Sequence, residues 1–182
     1  MISDRLGVLI RGAALALAFS SVVAQAHPVP ETAVILHRAA DLVAAEVSIP
    51  VSELALVVPL GRPVNAQTIK ERYDEIRAYL QAHTRASSAD GIVWRAEVTR
   101  LELGKSDGPH GRYAVLNAQI ALSPPNGMVT PFTLNYDAVM ERVVTHRTEV
   151  FLVDSHNQPQ RIGIIAPDPQ TLRTAPLNVP TE

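Results

Sequence analysis

Apolar and polar residues alternate along much of the chain after residue 30, and this period of two is typical of β-strands. Segments 32–38 and 42–49 both carry the alternation, and only residues 39–41 separate them. We therefore predict that the two segments form a β-hairpin. Pro50 ends the second strand, and a short helical turn is predicted at 52–57.

One segment changes to the helical period of three to four residues. Its recurring apolar positions are Ile69, Tyr73, Ile76 and Leu80. Charged residues fill the opposite side, so this segment is predicted to form one amphipathic helix packed on a sheet. Asn65 is a candidate N-cap, and Thr68 with Glu71 offers a competing capping box.

The strand period returns in the second half of the chain. It is carried by segments 92–103, 112–122, 132–139, 145–154 and 161–166. Together with the first hairpin, they predict a mainly β fold, an antiparallel β-sandwich-like domain with one α-helix. Residues 27–166 would form this domain. Residues 167–182 are rich in proline and lack a periodic pattern, which predicts a linker or tail.

The amino-terminal segment has the features of a secretory signal peptide. Arg5 and Arg11 precede an apolar run at 12–23, and Ala24-Gln25-Ala26 matches a cleavage site. The apolar run is much shorter than the ~20 residues that a membrane-spanning helix needs. We therefore predict that residues 1–26 are removed, that the mature protein begins at His27, and that it is exported to the periplasm or the extracellular face of the membrane.

Composition narrows the function further. The chain has 16 Lys and Arg against 18 Asp and Glu, and its basic residues are scattered, so a nucleic-acid partner is not expected. Cysteine is absent, which excludes disulfides, thiolate metal sites and cysteine nucleophiles. The sequence also lacks a Gly-x-Ser-x-Gly elbow and a phosphate-binding glycine loop, so we expect a non-catalytic protein.

Histidines are the candidates for metal chemistry. After signal cleavage His27 would present a free α-amine beside its own imidazole, a chelate suited to copper or nickel. His146 lies close to Asp137 in the sequence, and a carboxylate can orient an imidazole for ligation. Thus His27, His146 and Asp137 are the candidate metal ligands. The alternative for His146 is a structural histidine bonded to the backbone, and His83 suits the carboxyl end of the predicted helix.

Several short motifs together resemble a known family. They are His27-Pro28-Val29-Pro30, Arg72-Tyr73, Tyr136-Asp137 and Val143-Val144-Thr145-His146. They resemble the extracytoplasmic amino-terminal domain of HupE/UreJ-type membrane proteins, some of which are associated with nickel uptake for hydrogenase and urease maturation. In that family the domain precedes a multi-helix membrane region. After residue 26 this chain has no run of ~18–20 apolar residues, so the resemblance covers the accessory domain and not the transport region.

The resemblance implies a non-catalytic accessory or binding domain of metal uptake, with a polytopic membrane protein as partner. Two alternatives stay open. The first is a stand-alone periplasmic copper or nickel carrier that uses His27. The second is a structural interaction domain that docks a membrane partner through a sheet edge or its helix.

Overall fold

A computed structural model describes residues 31–108 and 111–180 of the chain. The predicted signal peptide and His27 lie outside these ranges. In the described part the fold is mainly β, as the alternating pattern predicts. The strands are β1 Thr32–Arg38, β2 Val43–Pro50, β3 Thr84–Ser88, β4 Arg95–Gly108, β5 Gly111–Ser123, β6 Phe132–Tyr136, β7 Thr148–Val153, β8 Pro159–Ile165 and β9 Leu177–Val179.

The larger sheet has six strands in the order β4-β5-β2-β1-β7-β8. The predicted hairpin is its centre, where β1 and β2 pair antiparallel with Val34 opposite Val47. One pair departs from the predicted antiparallel pattern, because β7 runs parallel to β1 with Thr32 opposite Thr148. A parallel pair needs a long crossover, and here β1 and β7 are separated by most of the chain.

A second sheet has three strands in the order β3-β6-β9, and the two sheets enclose the core in a sandwich-like arrangement. Alternate residues of β1, β2, β6 and β7 are buried in this core, as the period of two requires. The largest side chains that are fully buried there include Leu36, Ile49, Leu116, Ile120, Leu122, Leu134 and Tyr136. Trp94 is also buried, and its ring packs on Phe132 with the ring centroids 4.7 Å apart.

The predicted amphipathic helix is present but is divided at Arg72. Its two parts are α2 Ala66–Glu71 and α3 Tyr73–Ala82, both beside β4, and a four-residue helix α1 Val51–Leu54 follows β2. Arg72 has φ −101° and ψ 12°, outside the helical region, so the turn is interrupted there. Asn65 caps α2 by accepting the Thr68 N–H at 3.0 Å, which confirms the predicted cap.

Two strands were not predicted. β3 contains the small polar segment Thr84–Ser88, whose weak hydrophobic pattern reads as a loop, yet it pairs with β6 along its whole length. β9 lies in the segment predicted to be a linker or tail, and this prediction is wrong for its last part. Val179 is only 1% exposed and lies opposite Phe132 of β6. Three residues are enough for an edge strand that Pro176 and Pro180 flank.

The described residues contain the helices α1, α2 and α3, of which the longest has ten residues. None of the helices there has the length and the apolar character to cross a bilayer.

Candidate functional site

Strand register places a histidine against an aspartate at one corner of the small sheet. Thr84 at the start of β3 lies opposite Tyr136 at the end of β6. The next residues outward, His83 and Asp137, are therefore neighbours. The Asp137 N–H donates to the His83 carbonyl at 3.2 Å, and the Asp137 Oδ1 lies 2.7 Å from the His83 Nδ1. The imidazole that faces Asp137 is thus that of His83, and not that of His146 as the sequence analysis expected.

The charges of this pair reinforce each other. The hydrogen bond with Asp137 is the main cause that raises the pKa of His83, and the same bond lowers the pKa of Asp137. A guanidinium nitrogen of Arg85 lies 3.6 Å from the second carboxylate oxygen, where its charge favours the ionised carboxylate but opposes the rise in the pKa of His83. Asp137 is therefore an anion at neutral pH, and His83 holds its proton to a higher pH than a free histidine.

Tyr79 of α3 completes one wall of the corner. Its hydroxyl donates to Glu141 Oε1 at 2.9 Å and accepts the Val139 N–H at 2.7 Å, while its ring stacks on His83 at 4.3 Å between centroids. Burial is the main cause that raises the pKa of Tyr79, so the hydroxyl keeps its proton. The tyrosine thus ties the loop after β6 to α3.

The loop after β6 is held in a strained conformation at this point. Val139 has a φ of 64°, a left-handed value that a β-branched side chain rarely adopts. Its amide is fixed by Tyr79, and its carbonyl accepts the N–H groups of Arg142 and Val143 at 3.1 and 2.9 Å. Strain of this kind persists only where the surroundings impose it, and it is concentrated at functional sites.

An open cleft of about 300 Å³ lies beside these residues, and we name it the Asp137 cleft. It is lined by His83, Arg85, Asn135, Asp137, Met140, Glu141, Leu172, Arg173 and Thr174. The last three belong to the segment predicted to be a tail. Asp168 folds that segment by accepting the Thr171 N–H at 2.8 Å, and the Leu172 N–H donates to the Asp168 carbonyl at 2.8 Å.

His146 lies in a different environment, with 1% of its surface exposed. Its Nδ1 lies 2.5 Å from Glu53 Oε2, and its Nε2 lies 2.9 Å from Thr32 Oγ1. The first contact is close but is not aligned as a hydrogen bond. We call Glu53, His146 and Thr32 the buried trio. The partners of the His146 ring are side chains, whereas the structural alternative expected backbone.

Of the candidate metal ligands, His146 and Asp137 lie in the described part of the chain, and they are not brought together. His146 contacts Glu53 and Thr32, and Asp137 contacts His83 and Arg85. Within residues 31–108 and 111–180, no group of three or more His, Asp or Glu side chains is arranged to hold a metal ion. Because His27 lies outside those ranges, a copper or nickel site at the amino terminus stays a prediction.

The buried trio has the order carboxylate, imidazole and hydroxyl that hydrolases use to activate a nucleophile. Its members are too enclosed for that use, since Glu53, His146 and Thr32 are 6%, 1% and 0% exposed. A substrate cannot reach the Thr32 hydroxyl in this arrangement. The trio instead ties α1, β1 and the loop before β7 together within the fold.

Sequence reasoning missed Thr32 and Glu53 of the buried trio, and Tyr79, Arg85 and Arg173 around the Asp137 cleft. One signal was available, because Glu53 is the single acidic residue in a mostly apolar stretch at 51–60. The three residues around the cleft come together only through the β3–β6 register and the fold of the last segment. Comparison with known proteins adds no assignment: no family model matches the chain, and no curated protein matches it significantly.

Proposed function

We propose that this chain is a non-catalytic binding domain that acts outside the cytoplasm as an accessory module of metal uptake, with a polytopic membrane protein as its partner. The observation that carries the proposal is the Asp137 cleft, which is open to solvent and lined by charged side chains. The buried trio, by contrast, is not accessible to a substrate. The predicted signal peptide supports the compartment, and the resemblance to HupE/UreJ-type domains supports the partner.

The motifs behind that resemblance lie around the same loop. Tyr136-Asp137 leads into the strained turn at Val139, and Val143-Val144-Thr145-His146 follows it. One end of the loop therefore lines the Asp137 cleft, and the other end carries the buried trio histidine. A loop held at both ends in this way keeps the cleft in one shape, which favours binding over a motion-dependent reaction.

The state of the titratable groups in the cleft also favours binding. His83 is paired with Asp137, and Tyr79 is paired with Glu141. Neither pair faces a serine or threonine hydroxyl at hydrogen-bond distance in the described residues, so these groups set the charge and shape of the cleft.

Site-specific photo-crosslinking in the cells that make the protein tests this proposal. A benzophenone amino acid replaces Leu172 at the rim of the cleft, and the matched control replaces Met128, which is exposed to a similar degree, 59% against 62%. We expect the Leu172 probe to form one covalent adduct with a membrane protein, identified by mass spectrometry, and the Met128 probe to form none. The absence of a Leu172 adduct, or the same adduct from both positions, would overturn the proposal.

A further inference from the structure

We propose that the Asp137 cleft binds a single carboxylate group that carries an apolar substituent, with Arg173 and Arg85 as the groups that hold the carboxylate. This inference rests on the proposed function, because it names the ligand chemistry of the same site.

The cleft has two cationic side chains whose hydrogen-bond donors are largely unused. The guanidinium of Arg173 makes no hydrogen bond or ion pair with any side chain in the described part of the chain. Arg85 lies 3.6 Å from Asp137, beyond hydrogen-bond distance, and 59% of its side chain is exposed. Two guanidinium groups therefore face the cleft with most of their N–H donors free.

One oxygen of each acidic group in the cleft already has a hydrogen-bond partner. The Asp137 carboxylate is bonded to His83, and the Glu141 carboxylate accepts from the Tyr79 hydroxyl. Neither carboxylate forms an ion pair with Arg173. The two guanidinium groups can only donate, so donors make up most of the free hydrogen-bonding capacity of the site, and the amide of Asn135 and the hydroxyl of Thr174 can donate or accept.

A guanidinium offers two parallel N–H groups that match the oxygens of a carboxylate, and they match those of a phosphate as well. Inorganic phosphate lacks an apolar substituent that could cover the exposed Leu172 side chain, and its second charge adds repulsion from Asp137 and Glu141 as well as attraction to the guanidinium groups. Phosphate is therefore the control probe for a ligand held by charge alone.

The remainder of the ligand would meet an apolar side chain. Leu172 is 62% exposed at the rim of the cleft and directly precedes Arg173 in the sequence. Met140 also lines the cleft but is only 3% exposed, so Leu172 offers most of the apolar surface. An apolar chain next to the carboxylate would bury the Leu172 surface on binding.

Two sources present this chemistry, namely a free organic acid and the carboxyl terminus of a partner chain that ends in an apolar residue. Nuclear magnetic resonance titration of the purified, processed protein distinguishes ligand and source. The probes are hexanoate, its neutral analogue hexanamide, and inorganic phosphate. Two short peptides of one sequence ending in leucine follow, one with a free carboxylate and one amidated.

We expect hexanoate to shift the amide resonances of Leu172, Arg173 and Met140, and hexanamide and phosphate to leave them in place at equal concentration. The Arg173→Gln variant should bind hexanoate at least about tenfold more weakly, since a charge-assisted bidentate contact is lost. The matched control Arg95→Gln removes a charge outside the cleft and should bind as the wild type does. Both arginines are exposed, so both variants should fold.

The peptides then decide the source: tighter binding of the free-acid peptide than of hexanoate supports a partner's carboxyl terminus, and the reverse supports a free organic acid. Equal shifts with hexanoate and hexanamide, stronger binding of phosphate, or unchanged affinity of Arg173→Gln would overturn the inference. The Leu172 adduct would remain in that case, so failure of the ligand chemistry is separable from failure of the accessory function.

Discussion

Asp137 contacts His83 twice, through its N–H to the His83 carbonyl at 3.2 Å and through its carboxylate to the His83 Nδ1 at 2.7 Å. The backbone bond continues the pairing of β3 and β6 by one position and fixes where the carboxylate lies. The side-chain pair therefore depends on strand register, and it contributes to folding only in the pH range in which both groups are charged.

The first prediction follows from the signs of the two pKa shifts. His83 has a pKa above its ordinary 6.5, so its contribution is complete below that pH and is lost as pH rises through the higher folded value. Asp137 has a pKa below its ordinary 3.8, so its contribution exists above that pH and is lost as pH falls through the lower folded value. The pair is most stabilising between these two ordinary values.

Urea unfolding at about pH 5.5 and about pH 8 measures this effect. The side chains are 27% and 34% exposed, so solvent screening limits the expected loss to about 0.5–1 kcal/mol in wild type. Asp137→Asn should show a smaller change between the two pH values. A variant with the wild-type pH dependence would show that another group titrates there.

The second prediction concerns the buried trio. Thr32→Val keeps the shape of the side chain but removes the hydroxyl that lies 2.9 Å from His146 Nε2. The imidazole nitrogen would be left without a partner in a fully buried position, so we expect a loss of about 1–3 kcal/mol in the free energy of unfolding.

Thr133→Val is the matched control. Thr133 also lies on a strand and its hydroxyl meets Asn178 at 3.3 Å, but it is partly exposed and water can replace the bond. We expect a change within about 0.5 kcal/mol, measured by the same urea unfolding. Equal losses for the two variants would contradict a special role of the His146 contact.

How far the sequence predicts this fold depends on whether a signal is local. The hairpin of β1 and β2 follows from alternation within 32–49, and the Asn65 cap follows from residues within one turn. The pairing of His83 with Asp137 depends on the register of β3 with β6, two segments about fifty residues apart. Proximity in sequence suggested that Asp137 would contact His146, but in the fold the carboxylate beside His146 is that of Glu53.

The last segment shows a second limit of local signals. Proline and the lack of a period make residues 167–182 resemble a tail, and these features do weaken strands. They do not prevent three residues from adding to the edge of β6, where one apolar side chain is enough to join the core. The same segment supplies Arg173 to the cleft. Because the segment was predicted to be a tail, Arg173 was not considered as a site residue.

The third prediction tests that segment. Val179→Ala should lower the free energy of unfolding by about 1.5–3 kcal/mol, because Val179 is 1% exposed and its removal leaves a cavity against β6. Leu172→Ala is the control in the same segment, and because Leu172 is 62% exposed we expect a change within about 0.5 kcal/mol. Denaturant unfolding measures both. If Val179→Ala behaved like Leu172→Ala, the segment would be a tail after all.

The fourth prediction concerns the amino terminus of the processed chain. A start at His27 would place an α-amine and an imidazole in one residue, and two donors already held together bind copper(II) with little further loss of freedom. Among divalent ions copper should bind more tightly than nickel. Calorimetric titration of the processed protein is compared with a variant that has one extra alanine before His27, which keeps the ring but removes its own amine. We expect copper affinity to fall in the variant.

Asp137→Asn separates this chelate from the metal site that the sequence analysis placed at Asp137. The Asp137 carboxylate is hydrogen-bonded to His83 and lies 3.6 Å from Arg85. Binding a metal ion at the terminus would break these contacts, so we do not expect Asp137 to be a ligand there. Copper affinity should therefore be the same in Asp137→Asn and in the parent protein. If Asp137→Asn lowered copper affinity as much as the extra alanine does, the terminus would fold onto the Asp137 cleft and the Asp137 carboxylate would be a copper ligand. Equal affinity in all three proteins would leave His27 without a role in metal binding.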